Sequence, residues 1–507
     1  MCYDFNDEEK INDKGWVFSM IKSIQQFEEV GVKNLAGVLE KFVKEPKKQA
    51  EFIYGITDSV VQLGLDMIAE TFESMDEELR ASGLRMKNWV ISRRDETTLI
   101  TSLGAVKYQK TLFKNKSTGA CEYLLDRIMG MESHVRMTED AEAQMLEEAV
   151  DSSYRKGGIR ASLSDKVSKQ TVKNKIHELK FSVENRESEV KKQVEYLYID
   201  ADEDHVSLQY LEKKGDIEKP RSNTSMPKIA YVYEGIEPEA PRSERLKLTN
   251  PKYFGGLYEG SKGVEIFWRE IYDYISATYD LNTIKQIYIN GDGAAWIKSG
   301  RKWIAGATFV LDKFHMQKYI IAATSHLLDS AGDARSELYH AIHKKAKWMA
   351  IGTFEKILNV TESESGRRKV ETSRNYILGH WDGIMQGLKN KGAQRGCSAE
   401  GHVSHIYADR MSSRPLGWSR KGVHQMAKLR IYKANRGNML ELVRMQKQEL
   451  PMAAGAEEER VYLSSEMFRA ERKKPSEEQR YVERITHSIP FPEVKKIAYF
   501  RNHIWGL

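Results

Sequence analysis

Apolar residues recur every three or four positions between about residues 16 and 82, among them Phe42, Phe52, Ile53, Ile56, Val60, Val61, Leu63, Leu65 and Ile68. That spacing predicts helices. The period then shortens. Residues 99–112 read as a strand, 114–119 (KNKSTG) as a turn and 120–125 as a return strand, which predicts a β-hairpin. Thr138, followed by Glu139 and Asp140, opens a helix running to about residue 154, and Lys156-Gly157-Gly158 is expected to break it. Residues 159–179 read as a helix-turn-helix. Ser168 is placed to N-cap its second helix, whose inner face is Val172, Ile176 and Leu179. The outer face carries Lys169, Gln170, Lys173 and Asn174, residue types suited to a DNA major groove.

From residue 194 the pattern turns to strands. Strands are predicted at 194–201 (VEYLYIDA), 206–210 and 229–233, then a helix at 264–279 and a strand at 284–290 that runs into Gly291-Asp292-Gly293. A further helix, a strand at 307–311 and a helix at 313–328 follow. The order β-β-β-α-β-α-β-α predicts an α/β, ribonuclease-H-like core, in which a hairpin-built sheet is extended by parallel strands with crossover helices. Residues 316–391 read as a mainly helical insertion.

A chain of 507 residues exceeds one ordinary core. The expected organisation is a helical region (1–97), a β-hairpin region (98–137), a helix-turn-helix domain (138–193), the first part of the core (194–315), the insertion (316–391), the end of the core (392–420) and a basic C-terminal region (421–507). The acidic, polar first ten residues are unlike a signal peptide, and no apolar stretch of spanning length is read, so no membrane partner is expected. Cys2, Cys121 and Cys397 are too scattered for a disulfide framework or a zinc pattern, and a reducing cytoplasm is the expected location. The net charge of +6 is small, but it is unevenly spread. Residues 151–192 carry eleven Lys and Arg against six Asp and Glu, and residues 410–448 ten against one. Such patches favour a polyanionic partner, and Arg410 and Arg414 open the second of them.

Acids at strand ends are the candidate chemistry. Metal-assisted phosphodiester cleavage needs carboxylates that hold two divalent ions, with Mg²⁺ (or Mn²⁺) preferring oxygen ligands. Asp200 lies late in an apolar strand, and Asp202 points to the same face by period-two alternation. Asp200 is taken as the first acid because it leaves room for a turn before residue 206, with Asp202 as the alternative. Asp292 stands between two glycines at a strand's carboxyl end, where such sheets bind ligands. For a third acid, Glu355, Glu362, Glu364 and Glu400 all follow the last core strand. Glu400, delivered after small residues 396–399, is placed ahead of the others. Asp312 and His315 form an Asp-x-x-His pair, in which His315 is read as a hydrogen-bonding partner rather than a ligand.

The stretches LDRIMG (125–130), IDADEDHV (199–206), Gly291-Asp292-Gly293, Asp312-x-x-His315 and CSAEGHVSHIYADRMSSRPLGW (397–418) together resemble the ISLre-two type of bacterial insertion-sequence transposase. The resemblance runs from about residue 103 to 418. It implies a DDE transposase of the Mutator-like division, with Asp200, Asp292 and Glu400 as the metal-binding catalytic triad and Asp312 and His315 as an accessory signature. It further implies two Mg²⁺ ions, double-stranded DNA as partner, a dimer or higher oligomer on that DNA, and a nucleoid-associated location. The alternatives are a transposase-derived DNA-binding protein without catalytic activity, and a nuclease of the same fold that cannot join ends.

Overall fold

The computed structural model describes residues 21–132, 135–181, 190–209, 223–390, 397–413 and 417–447. The chain forms two units, one built by the part up to Phe181 and again from Arg436, the other by the part between.

In the first unit α1 (Ile21–Gln26) continues through a π-helical turn (Phe27–Gly31) into α2 (Val32–Lys44), which folds back along α3 (Gln49–Ala81). Phe42 and Phe52 stack with ring centroids 4.3 Å apart. After α4 (Gly83–Asn88) come β1 (Trp89–Ile100), β2 (Ala105–Asn115), β3 (Cys121–Tyr123) and α5 (Leu124–Ile128), the strands forming one antiparallel sheet in that order. The C-terminal half of α3 docks on this sheet. Buried Asp76 accepts from both the N–H and the hydroxyl of Thr111, at 2.8 and 2.6 Å, and Glu73 accepts from the Gln109 N–H at 2.8 Å. This corrects the predicted hairpin. The span 99–112 is split by a turn in which the Thr101 N–H donates to the Gly104 carbonyl at 2.8 Å, and the principal partner strand is β1. β1 was not legible because most of its side chains are exposed and polar, leaving no apolar alternation.

Helices α6 (Glu139–Asp151), α7 (Tyr154–Arg160) and α8 (Lys169–Glu178) follow. The break between α6 and α7 falls at Ser152-Ser153, where Ser153 Oγ caps α7, and not at the glycines. Gly157 and Gly158 lie inside α7 because it packs tightly: a Cβ on Gly157 would stand 2.6 Å from Ala149 Cβ. Ser168 Oγ caps α8 by accepting from the Thr171 N–H at 3.1 Å, and Val172, Ile176 and Leu179 are buried as expected. A helix from much later in the chain, Met439–Lys447 (α19 in chain order), packs on α6. Its Arg444 pairs with Glu139 at 3.0 Å, and Gln446 accepts from the Lys180 N–H at 2.7 Å.

The second unit is a mixed α/β domain. Its five-stranded sheet has the order β10–β7–β4–β11–β12, from β4 (Tyr196–Glu203), β7 (Lys228–Tyr233), β10 (Lys252–Gly256), β11 (Gln286–Gly291) and β12 (Ala307–Leu311). β4, β7 and β10 are antiparallel neighbours, while β11 runs parallel to both β4 and β12. Two short pairs stand outside it, β5 (Val206–Ser207) with β6 (Thr224–Ser225) and β8 (Gly235–Pro238) with β9 (Leu246–Thr249). The strand expected at 206–210 is therefore only a two-residue ladder, and the third strand of the sheet is β10, which sequence reading passed over. α9 (Gly260–Thr278) and α10 (Ala295–Trp303) make the crossovers.

Alternate residues divide the strands into two faces. Leu197, Ile199, Ala230, Val232, Ile287, Ile289 and Phe309 join the large core beneath the helices. The opposite face carries Tyr198, Tyr231, Tyr233 and Tyr288, and on it, at the middle of β4, Asp200. The mainly helical stretch expected after β12 is present as α11 (Lys313–Thr324), a 3-10 turn, α12 (Ala331–His343), α13 (Lys347–Val360), α14 (Glu364–Gly379) and α15 (Trp381–Lys389). α16 (Ala399–Val403), a π-helical turn (Ser404–Ala408), α17 (Asp409–Met411) and α18 (Arg420–Ala434) complete the unit. Among the described residues, α3 alone is long and apolar enough to cross a membrane by length and composition. It contains Asp58, Asp66 and five further acids beyond them, and its C-terminal half is committed to the β1–β2 sheet.

Candidate active site

Parallel pairing sets β4 and β11 side by side with Asn290 opposite Asp200. Extending both strands by two residues brings Asp202 opposite Asp292, at the carboxyl ends where the chain leaves the sheet. The electrostatics agree: burial, and then the Asp292 charge, raise the Asp202 carboxyl to about 6, and His315 pulls the other way. Asp292 is held by its own turn, its Oδ1 accepting from the Ala294 N–H at 2.8 Å, while Tyr376 of the insertion donates to its carbonyl. Gly293 has a φ of +89°, and a Cβ there would collide with the His380 ring, so both conformation and space demand glycine.

Asp312 is buried after β12 and caps α11 by accepting from the Phe314 N–H at 3.1 Å. Its other oxygen lies 3.0 Å from His315 Nδ1, which raises the imidazole pKa, and Asp292 and Asp202 add to that effect. His315 thus has the hydrogen-bonding role read from the sequence, and it faces the same group of acids.

Asp200 is placed differently. It is wholly buried and receives four hydrogen bonds: from Asn290 Nδ2 (2.7 Å), Tyr231 OH (2.8 Å), the Ser398 N–H (3.0 Å) and Tyr233 OH (3.2 Å). Burial pushes its carboxyl up, and these donors pull it back. A carboxylate so saturated has its acceptor sites taken by protein donors. Its partner Tyr231 also bonds Ser398 Oγ at 2.7 Å. Asp200 thereby ties the start of α16, which carries Glu400, to the sheet.

Glu400 itself is exposed, in the first turn of α16. Two residues on, the His402 ring packs 4.5 Å from that of Tyr231, and its Nδ1 lies 3.2 Å from Tyr253 OH. Cys397 is set among acids, its thiol raised by burial and by Asp200, Asp312 and Asp202. Asp204 accepts from Ser412 Oγ at 2.8 and 3.0 Å, a second tie between the end of β4 and the segment after α16. Among the described residues no three His, Cys, Asp or Glu side chains converge closely enough to hold an ion. Asp202, Asp292 and Asp312 lie within electrostatic reach of His315, to which Asp312 is hydrogen-bonded, and Asp200 is enclosed by its own donors. Sequence reading missed Tyr231, Tyr233, Asn290 and Ser398, although tyrosines at alternate strand positions were a visible signal.

The comparison with known families matches residues 43–449 to the model described as "Uncharacterised protein family (UPF0236)". The chain belongs to the UPF0236 family. Curated UPF0236 relatives come from Caldanaerobacter subterraneus subsp. tengcongensis. One is 35% identical over 410 residues, covering 81% of this chain and 83% of the relative, and its name joins eleven locus designations. Another is 36% identical over 392 residues, covering 77% and 79%, and a third is 34% identical over 440, covering 85% and 84%. The matched UPF0236 region includes the five-stranded sheet, helices α11 to α16 and helices α6 to α8.

On that last segment Lys169, Gln170 and Asn174 are exposed and Lys173 is half-exposed, with Gln170 Nε2 donating to Asn174 Oδ1 at 2.8 Å. Lys175 pairs with Glu142 at 2.8 Å and fixes α8 to α6. Arg410 does not have the expected DNA-facing position: it is buried, its guanidinium 4.9 Å from the Trp418 ring centre. The periodic basic pattern could not show that this Arg points inward. Arg414 lies outside the described residues.

Proposed function

We propose that this protein is a DNA transposase of the ISLre-two, DDE type, which binds the ends of its insertion sequence and catalyses metal-dependent strand cleavage and strand transfer on a ribonuclease-H-like core. The observation that carries this reading is that Asp202 and Asp292, each two residues beyond the paired Asp200 and Asn290 of neighbouring parallel strands, stand close enough for the Asp292 charge to act on Asp202. The strand order, three antiparallel strands extended by two parallel ones, supports the core assignment, and a helical insertion before Glu400 agrees with the resemblance read from the sequence. A relative whose name joins eleven locus designations in one strain is also consistent with a sequence that copies or moves itself.

The donor set fits Mg²⁺ or Mn²⁺. The carboxylates are oxygen ligands, and Mg²⁺ is ordinarily bound through one or two carboxylates together with water and substrate phosphate. When bound, two such ions supply activation of the attacking oxygen and stabilisation of the leaving one. In this reading Asp202 and Asp292 hold the metal and Glu400 completes the triad. Asp202 replaces Asp200 as the first acid, and Asp200 is a positioning residue for the Glu400 segment. Asp312 keeps His315 oriented beside the acids, and α8 reads the DNA ends.

The test is cleavage and strand transfer by the full chain on linear DNA bearing the inverted repeats that flank its gene, with Mg²⁺ or Mn²⁺. Asp202→Asn, Asp292→Asn and Glu400→Gln should each lower cleavage at least about a hundredfold, since each removes an anionic metal ligand, and leave end binding within about threefold. Glu364→Gln, on an exposed helix end paired with Arg368, should cleave normally. Cleavage by Asp292→Asn at the wild-type rate refutes the assignment. Specific end binding without cleavage by the wild type makes the protein a DNA-binding relative of such enzymes.

A further inference from the structure

The hairpin of α2 and α3 presents an apolar face that the described residues of its own unit leave open. Its two arms meet through Val38 and Phe42 on α2 and Phe52 and Gly55 on α3; a Cβ on Gly55 would come within 2.8 Å of the Val38 methyls. A second row on each helix faces elsewhere. On α2 it is Val32, Ala36, Leu39 and Val43, spaced 4-3-4, with Val32, Leu39 and Val43 exposed at 49%, 55% and 69%. On α3 it is Ile53, Ile56, Val60, Leu63 and Met67, spaced 3-4-3-4, with Ile53 and Val60 more than half exposed.

These alternating three- and four-residue steps are the spacing of a helix–helix seam. At about 100° per residue, the α2 row is turned roughly 110° from its contact with α3, and the α3 row roughly 90° from its contact with α2. Both turns are in the direction of increasing residue number. The arms run antiparallel, so both rows come out on the same side of the hairpin, and together they make one two-helix apolar face.

We propose that this face is where two copies of the chain associate, hairpin against hairpin, as a two-fold four-helix bundle. The exposed apolar surface of the nine positions is on the order of 700 Å², close to the roughly 800 Å² per partner of a stable interface. No position of either row is charged, so the face meets its own copy without like-charge repulsion, as an isologous contact requires. Lipid fits less well. A helix lying on a membrane carries Lys and Arg along its polar face; α2 has Lys33, Lys41 and Lys44, but the longer arm α3 has none before Arg80, and Glu51 and Asp58 occupy the side opposite its row. Two-helix faces of this width bury themselves in bundles.

The test is sedimentation velocity on the full chain without DNA, so its outcome is independent of the cleavage assay. Wild type should be dimeric in the micromolar range. Leu39→Glu combined with Val60→Glu should raise the dimer dissociation constant at least a hundredfold while the circular dichroism spectrum is kept. If that variant fails to fold, Val60→Cys and Asp58→Cys decide. The Val60→Cys thiol should lose maleimide reactivity as protein concentration rises, and Asp58→Cys should not. A monomeric wild type, an undisturbed dimer in the double variant, or equal reactivity of the two thiols at all concentrations overturns the proposal. So does binding of a monomeric wild type to phosphatidylcholine–phosphatidylglycerol vesicles that the double variant loses, which would make the face a membrane contact.

Discussion

Asp200 and Asp202 stand two residues apart on one face of β4, and their surroundings set them to opposite work. Asp200 collects four donors in the interior. Replacing it by Asn puts an NH₂ against groups that donate, so Asp200→Asn should cost about 2–4 kcal/mol of stability in denaturant melts. Unchanged stability would show that the network does not hold the fold. Asp202 is the reverse case. Its folded-state pKa of about 6 lies above the value of about 4 of an unfolded chain, so it binds its proton more tightly when folded. Its contribution to stability is complete below about pH 4 and is lost as the pH rises through about 6, by about 3 kcal/mol at most. In metal-free protein Asp202→Asn should therefore flatten the fall in stability between those pH values and leave the neutral-pH protein more stable. Urea melts across the range check it, and a slope unchanged by the substitution would show that Asp202 does not carry the effect; the raised pKa of His315 acts only at higher pH, above the ordinary imidazole value.

At the scale of elements, α8, which the proposed function makes the recognition helix, is held by a distant part of the chain. The α6–α8 group is closed by α19, whose Leu442 and Val443 are buried and which reaches Glu139 and Lys180. A fragment of residues 138–193 should consequently fold poorly, and the same fragment joined by a flexible linker to residues 436–447 should regain helical signal and cooperative melting. Equal stability of the two would show that α19 is dispensable. Within the folded group, Lys173→Ala should weaken all DNA about equally and flatten the salt dependence. If the proposed function holds, Gln170→Ala should instead relax preference for the element's end sequence, because an amide can read an adenine edge. Fluorescence anisotropy on end and scrambled duplexes separates the two.

For the molecule as a whole, the discontinuous first unit makes a simple prediction. Truncation after Asn435 removes α19 but no residue of the five-stranded sheet. Calorimetry should show one transition lowered by about 5 °C or more, as expected for losing several kcal/mol of buried contacts, and the other unchanged. Lowering of both transitions together would mean that the units unfold as one.

The sequence by itself determined what short-range chemistry writes. Ser168 as a cap, the buried row Val172, Ile176 and Leu179, the helices of the insertion and the parallel strands on either side of Gly291-Asp292-Gly293 each follow from local spacing or capping. Tertiary structure decided matters of register and partnership. Asp200 and Asp202 share a strand face, so no periodicity can tell which reaches the rim; only the pairing of Asn290 with Asp200 settles that the latter is enclosed. The polar strand β1 and the edge strand β10 lack an apolar alternation because one is exposed for most of its length and the other is defined by its neighbour β7. Arg410 is buried, although its charge suggests a surface, because Trp418 lies across its guanidinium. In each case the deciding energy comes from a residue distant along the chain, and one-dimensional pattern carries no information about which residue that is.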